Sequence, residues 1–208
     1  MNRYKIVSLV LAVALLAALA RLVVGFEQTA PAAGGNAVYE NILARKSVRS
    51  YTDRPVGRPQ LDTLLHAAMA APSGRDMRPW KFVVVDRRDV LDTLYAHLPK
   101  AAMLAEAQAA IVVCGDLTVK DDQGQPSRNW PLDCAAATQN LLLAAESMGL
   151  GAVWTGVWPY DDRIAAVRAA LQLPDSIVPL NVVPIGYPKG DTRPKEKYNP
   201  HNIHYNRW

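Results

Sequence analysis

Leu132 to Met148 is an Ala/Leu-rich stretch, apolar nearly all round, and Gly149 and Gly151 follow it. A helix of that composition has no face to offer water. It must be buried on every side, against its own chain or against a partner subunit. A second stretch, Ala109-Ala110-Ile111-Val112-Val113-Cys114, is continuously apolar over the length of a strand. Such a strand needs cover on both faces of a sheet. A long buried helix and a doubly covered strand together specify a layered α/β domain.

The remaining periodicities fill in the order. Asn36 can cap a helix over 38–44, with Val38 and Ile42 four apart on one face. Leu61, Leu64, Leu65 and Ala68 give an amphipathic helix from Gln60 to Ala71. Trp80 to Asp86 is a strand, Asp89 to Leu98 and Ala101 to Gln108 are short helices, and Asp116 to Asn129 is a polar loop. After the long helix come a strand at Ala152 to Trp158, a helix at Asp161 to Leu171 and a proline-interrupted strand at Ile177 to Ile185. Gly186 to Trp208 is a polar, aromatic tail without a core pattern.

The 208 residues suit one ordinary domain with an N-terminal extension: residues 1–26, a linker over 27–36, and a globular part over 37–208. Arg3 and Lys5 precede an apolar run that continues past Arg21 to Phe26. Its length favours a signal anchor, and Ala18-Leu19-Ala20 offers a cleaved signal as the alternative. Either way the globular part is expected outside the cytoplasm, membrane-anchored in the first case. The formal net charge of +4 includes Arg3 and Lys5, so no nucleic-acid surface is implied. Cys114 and Cys134 read as small buried hydrophobes, and the four histidines form no metal-ligand cluster. No G-x-G-x-x-G follows a strand, no phosphate-binding P-loop occurs, and no histidine is placed to activate a serine.

Four segments carry candidate chemistry. Arg45-Lys46-Ser47-Val48-Arg49-Ser50 gathers three cations and two hydroxyls; on helical geometry Arg45 and Arg49 share a face and suit a phosphate. The loop Pro72-Ser73-Gly74-Arg75-Asp76-Met77-Arg78-Pro79-Trp80 joins a helix to a strand, where binding residues commonly lie. Gly149 to Trp158 places glycines in a strand, where a ligand can approach the backbone. Lys195 and Lys197 set two cations on one side of an extended tail.

In that order and spacing the four segments resemble the nitroreductase-like flavoproteins, over nearly all of residues 38–208. The family's Arg-x-Ser-x-Arg/Lys motif is matched by Arg45, Ser47 and Arg49. Its Pro-Ser-x-x-Asn-x-Gln-Pro-Trp loop is matched by Pro72, Ser73, Pro79 and Trp80, with Asp76 in place of Asn and Arg78 in place of Gln. Its Gly-Leu-Gly strand corresponds to Gly149 to Val157, and its C-terminal basic pair to Lys195 and Lys197.

The resemblance implies a mixed central sheet flanked by helices, an intertwined homodimer, and FMN at the interface. Arg45, Lys46, Ser47, Lys195 and Lys197 would surround the phosphate and ribityl chain, and Arg49 would lie by the N1/O2 edge of the flavin. Thr155, Gly156 and Val157 would approach N5 with main-chain donors. Pro72, Ser73, Gly74, Asp76 and Arg78 would come from the second subunit. Chemistry would reside in the flavin, with hydride from NAD(P)H passed to a nitroaromatic, a quinone or a related small acceptor, so no catalytic side chain and no metal is expected. A reductive dehalogenase of the same superfamily, with Asp116 to Asn129 as its lid, and a non-enzymatic envelope protein are the competing readings.

Overall fold

In the computed structural model, which describes residues 35–208, five strands form one sheet. They are β1 (Trp80–Val85), β2 (Ala109–Asp116), β3 (Gly151–Ala152), β4 (Thr155–Gly156) and β5 (Ile177–Gly186). The order is β1-β2-β5-β3, and β4 also pairs with β5. Five helices accompany them: α1 (Ala37–Ala44), α2 (Arg58–Met69), α3 (Arg88–His97), α4 (Trp130–Ser147) and α5 (Asp161–Leu171).

Strand β2 is buried along its whole length, as its sequence requires. Ala109, Ile111 and Val113 point into one core with Leu61 and Leu64 of α2 and Leu141 of α4. Ala110, Val112 and Cys114 point the other way, onto Leu91 and Leu94 of α3 and Val167 of α5. The period-2 alternation of the strand thus fills two layers at once.

Every pairing is antiparallel, where a mixed sheet was expected. The connections explain it. Val85 at the end of β1 stands opposite Ala110 at the start of β2, so α3 loops out and back at one end of the sheet instead of crossing it. Helix α4 then carries the chain back along the sheet, and β3 starts with Gly151 opposite Gly186, the last residue of β5.

Two elements depart from their expected form. The helix expected at Ala101 to Gln108 is a four-residue 3-10 turn, Ala102–Ala105. Ala101, Leu104 and Ala107 are all buried, and the Gln108 N–H already bonds the Ile185 carbonyl at 3.0 Å, which draws the chain into extended form. The strand expected over Ala152 to Trp158 is split into β3 and β4, although their register on β5 is unbroken. Pro184 stands opposite the gap and has no N–H to give the ladder.

Within the protomer α4 packs against both the sheet and α2, and Gln139 and Ser147 are among its few exposed residues. Cys134, Ala137, Leu141 and Ala145 are buried against the sheet, while Leu132 is 69% exposed. The expected membrane-anchored, exported domain is corrected here. It rested on residues 1–26, which lie outside the described residues, and no helix among the described residues is long and apolar enough to cross a membrane.

Candidate functional site

Helix α1 ends at Ala44, and the Arg45 N–H still bonds the Asn41 carbonyl at 3.1 Å. From Lys46 the chain is no longer helical, so the one-face relation expected of Arg45 and Arg49 does not form. Val48 fixes the segment instead. It is 1% exposed, and its N–H donates to the Ala152 carbonyl at 3.1 Å. A Cβ on Gly151 would lie 2.6 Å from Val48 Cγ1, so glycine is what lets the two backbones meet. Beyond Val48, the buried Tyr51 hydroxyl lies 2.8 Å from the Val48 carbonyl, and burial raises its pKa. Ser47 and Arg49, on either side of Val48, are therefore held along the β3 edge, half-buried and exposed respectively.

Lys46 turns the opposite way. Its ammonium meets Glu146 of α4 at 2.6 Å, with both side chains mostly buried. Asn41 makes a parallel tie, donating to the Leu143 carbonyl at 3.0 Å. Lys46 thus braces the segment against α4, and its charge is already matched within the chain.

Thr155 and Gly156 form β4 opposite Val182 and Asn181. Val157 is not a free donor: its N–H bonds the Leu180 carbonyl at 3.0 Å and its side chain is fully buried. The Arg163 guanidinium donates to the Gly156 carbonyl at 2.9 Å and stacks on Tyr160. Met103 lies against the Val48–Tyr51 cluster and 4.0 Å from the Thr155 hydroxyl, so the first and third sequence motifs adjoin.

The Pro72–Trp80 loop is built around three residues in left-handed conformation, Arg75 (φ 54°), Asp76 (φ 55°) and Arg78 (φ 48°). The Ser73 hydroxyl accepts the Arg78 N–H at 3.0 Å. Asp76 and Arg78, the two departures from the family pattern, pair with each other bidentately at 2.7 and 2.6 Å. That contact holds the Asp76 carboxyl below its usual range. The Gly74 N–H donates to Asp133 Oδ1 of α4 at 2.8 Å. Across a cavity of about 230 Å³ from Gly74, Arg75 and Met77 lies the Asp116–Asn129 loop, closed on itself where Asp121 accepts the Gln123 and Gln125 N–H groups.

Two ends of α4 thus carry two halves of the expected site. The loop is tied at Asp133 and the Arg45–Arg49 segment at Glu146, thirteen residues further on, or about 20 Å along a helix. Lys195 and Lys197 stand exposed in the tail. Arg45, Arg49, Lys195 and Lys197 take part in no ion pair among the described residues, whereas Lys46, Arg58, Arg75, Arg78 and Lys81 each have a carboxylate partner. Asp133, Glu146 and Arg163 were absent from the sequence-level site. The first two had a signal: they are the only charged residues in α4, and a charge in an apolar helix needs a partner.

The model of the Nitroreductase family matches residues 42–109 and 93–187. A protein of Methanothermobacter thermautotrophicus, provisionally named NADH dehydrogenase/NAD(P)H nitroreductase, is 42% identical over 171 residues, 82% of this chain and 87% of that one. A Parabacteroides distasonis crystal structure of the same provisional name is 58% identical, with a TM-score of 0.78 over 83% of this chain and 99% of that one. A Desulfovibrio desulfuricans structure, provisionally a nitroreductase and described in complex with FMN, is 26% identical with a TM-score of 0.70, over 84% and 99%. These relatives are named for redox activity and lend no support to a membrane placement. Sequence motifs, sheet topology and relatives agree, and the chain belongs to the nitroreductase family.

Proposed function

We propose that this chain is an FMN-dependent NAD(P)H oxidoreductase of the nitroreductase type, acting on nitroaromatics, quinones or related small acceptors as a homodimer. One observation carries the reading. Val48, clamped to Ala152, lays Ser47 and Arg49 along the edge that leads to Thr155 and Gly156, and the cations Arg45 and Arg49 beside it have no carboxylate partner among the described residues. Uncompensated guanidiniums next to a backbone edge fit a ligand with a phosphate at one end and a hydrogen-bonding ring at the other.

Arg45, Ser47, Lys195 and Lys197 would hold the phosphate and ribityl chain, Arg49 the N1/O2 edge, and the Thr155–Gly156 backbone the N5 side. Val157 serves by packing. When bound, FMN supplies two-electron transfer, taking hydride from NAD(P)H and passing it to the acceptor. Arg49 would stabilise the negative charge that develops at the pyrimidine edge. Arg163, bonded to the Gly156 carbonyl, would steady the β4 backbone on the N5 side.

The separation of the two half-sites along α4 supports the dimer. A two-fold axis that sets two α4 helices antiparallel brings the Asp133 end of one chain to the Glu146 end of the other. The exposed Ile42, Leu43 and Leu132, with Tyr198, Tyr205 and Trp208 of the tail, supply apolar surface for such an association. The test is the absorption spectrum of the purified full chain. A flavin spectrum bleached anaerobically by NADH or NADPH, and restored by a nitroarene or a quinone with parallel-line kinetics, is expected. A colourless chain that ignores added FMN overturns the reading.

A further inference from the structure

We infer that Asp133 is a positioning residue that holds the Pro72–Trp80 loop in its flavin-facing shape. Its consequence for the cofactor rests on the FMN reading above; its geometry stands on contacts within the chain. Asp133 is 5% exposed. Oδ1 accepts the Gly74 N–H at 2.8 Å, while Oδ2 is buried with no hydrogen-bond partner. A carboxyl group left with a bare buried oxygen is costly, and an aspartate serving only the start of α4 would face water.

The loop needs such an anchor. Arg75, Asp76 and Arg78 all adopt the left-handed backbone that side-chain-bearing residues disfavour. The Ser73–Arg78 and Asp76–Arg78 bonds lie within the loop itself and are exposed. The Arg75–Asp122 pair, at 3.6 Å, links two exposed side chains. Asp133 ties the loop from a buried group on a core helix. Asn129 closes the other side, since a Cβ on Gly74 would lie 3.0 Å from its Nδ2. Without the Gly74–Asp133 bond, the strained residues relax and Ser73, Gly74, Asp76 and Arg78 lose their common orientation.

The experiment compares Asp133→Ala, Asp133→Ser and Asp133→Asn in the full chain by two readouts. One is the FMN dissociation constant of the apoprotein. The other is the rate of tryptic cleavage after Arg75, which is exposed and followed by Asp76; Arg78 precedes Pro79 and resists trypsin. Asp133→Ala should weaken FMN binding about tenfold or more and speed cleavage by a similar factor. Asp133→Asn, which keeps an acceptor for Gly74 and removes the charge, should stay within about threefold of wild type in both. If Asp133→Ala does not fold, Asp133→Ser, too short to reach Gly74, gives the same comparison. Wild-type values for the truncated variants, or an Asp133→Asn as damaged as they are, overturn the inference. A wild-type chain that binds no FMN overturns the functional reading, and the cleavage rates still decide the role of Asp133.

Discussion

Gly151→Ala tests whether the cation-bearing segment depends on the backbone contact at β3. The added Cβ would stand 2.6 Å from Val48 Cγ1, 2.7 Å from Val48 Cβ and 3.0 Å from Val48 Cγ2. Carbon atoms in contact keep about 3.5–4.0 Å, so the overlap is about 1 Å. Val48 cannot rotate away, because its Cβ is itself too close. Either the Val48–Ala152 hydrogen bond of 3.1 Å opens or β3 pulls off β5. Overpacking of this kind costs about 1–3 kcal/mol. At about 2–4 °C per kcal/mol for a domain of this size, the Tm should fall by about 2–12 °C. Because Val48 lies between Ser47 and Arg49, its displacement should also weaken FMN about tenfold, the loss of one charge-assisted contact. Gly149→Ala is the control. Gly149 has φ +69° and open space around its Cβ position, so alanine there costs about 1–2 kcal/mol by backbone strain alone. Thermal melts and FMN titrations on both variants decide the matter. Equal loss of FMN affinity in the two, or none in Gly151→Ala, refutes the reasoning.

The other expectations concern charges, thiols and the loop. Lys46→Met should cost about 1–2 kcal/mol, intermediate between exposed and buried pairs, and a double-mutant cycle with Glu146→Gln should return a positive coupling energy; a coupling of zero would mean that the brace is ornamental. Arg163→Met, which releases the Gly156 carbonyl, should lower the flavin midpoint potential by about 30 mV, a tenfold change for a two-electron couple, measured by dye equilibration. Asp76→Asn breaks the bidentate pair with Arg78 and should leave FMN bound while changing the relative kcat/KM of anionic and neutral acceptors; a variant that loses its flavin refutes this. Burial pushes the Cys114 and Cys134 thiols up to about 12, so iodoacetamide at pH 8 should label neither until the chain is unfolded. Native thiols that hold protons above the ordinary value of 9.0 contribute stability that is whole below that pH and is lost as pH rises toward 12. The Tm should therefore decline through that window.

The two layers were legible because their signal is compositional. A strand with no polar residue over Ala109–Cys114 must be covered twice, and β2 is. Strand direction was not legible, since it depends on which end of the sheet a connection returns to. The stretch from Val85 to Ala109 is long enough for either a crossover or an excursion. The split of the third strand could have been foreseen only with the register in hand, because it follows from Pro184 standing opposite the gap.

For the candidate site, residue types were legible in the sequence, and the directions and partners of the side chains were not. Arg45, Ser47 and Arg49 were singled out by residue type and by a shared helical face; the helix stops at Ala44, and Val48, not helical phase, fixes their segment. Lys46 has a partner the sequence did not announce, Glu146. Val157 lies in the right strand, but its N–H is taken by Leu180. These differences have the same physical origin, since a sequence motif names donors and does not say which of them the fold has already satisfied. The converse identifies what the motif omitted. Asp133 and Glu146 are polar atoms on an apolar helix, and each is spent on one of the two motif segments. Charges in otherwise apolar elements are therefore the places where a sequence reader should look for the struts of a cofactor site.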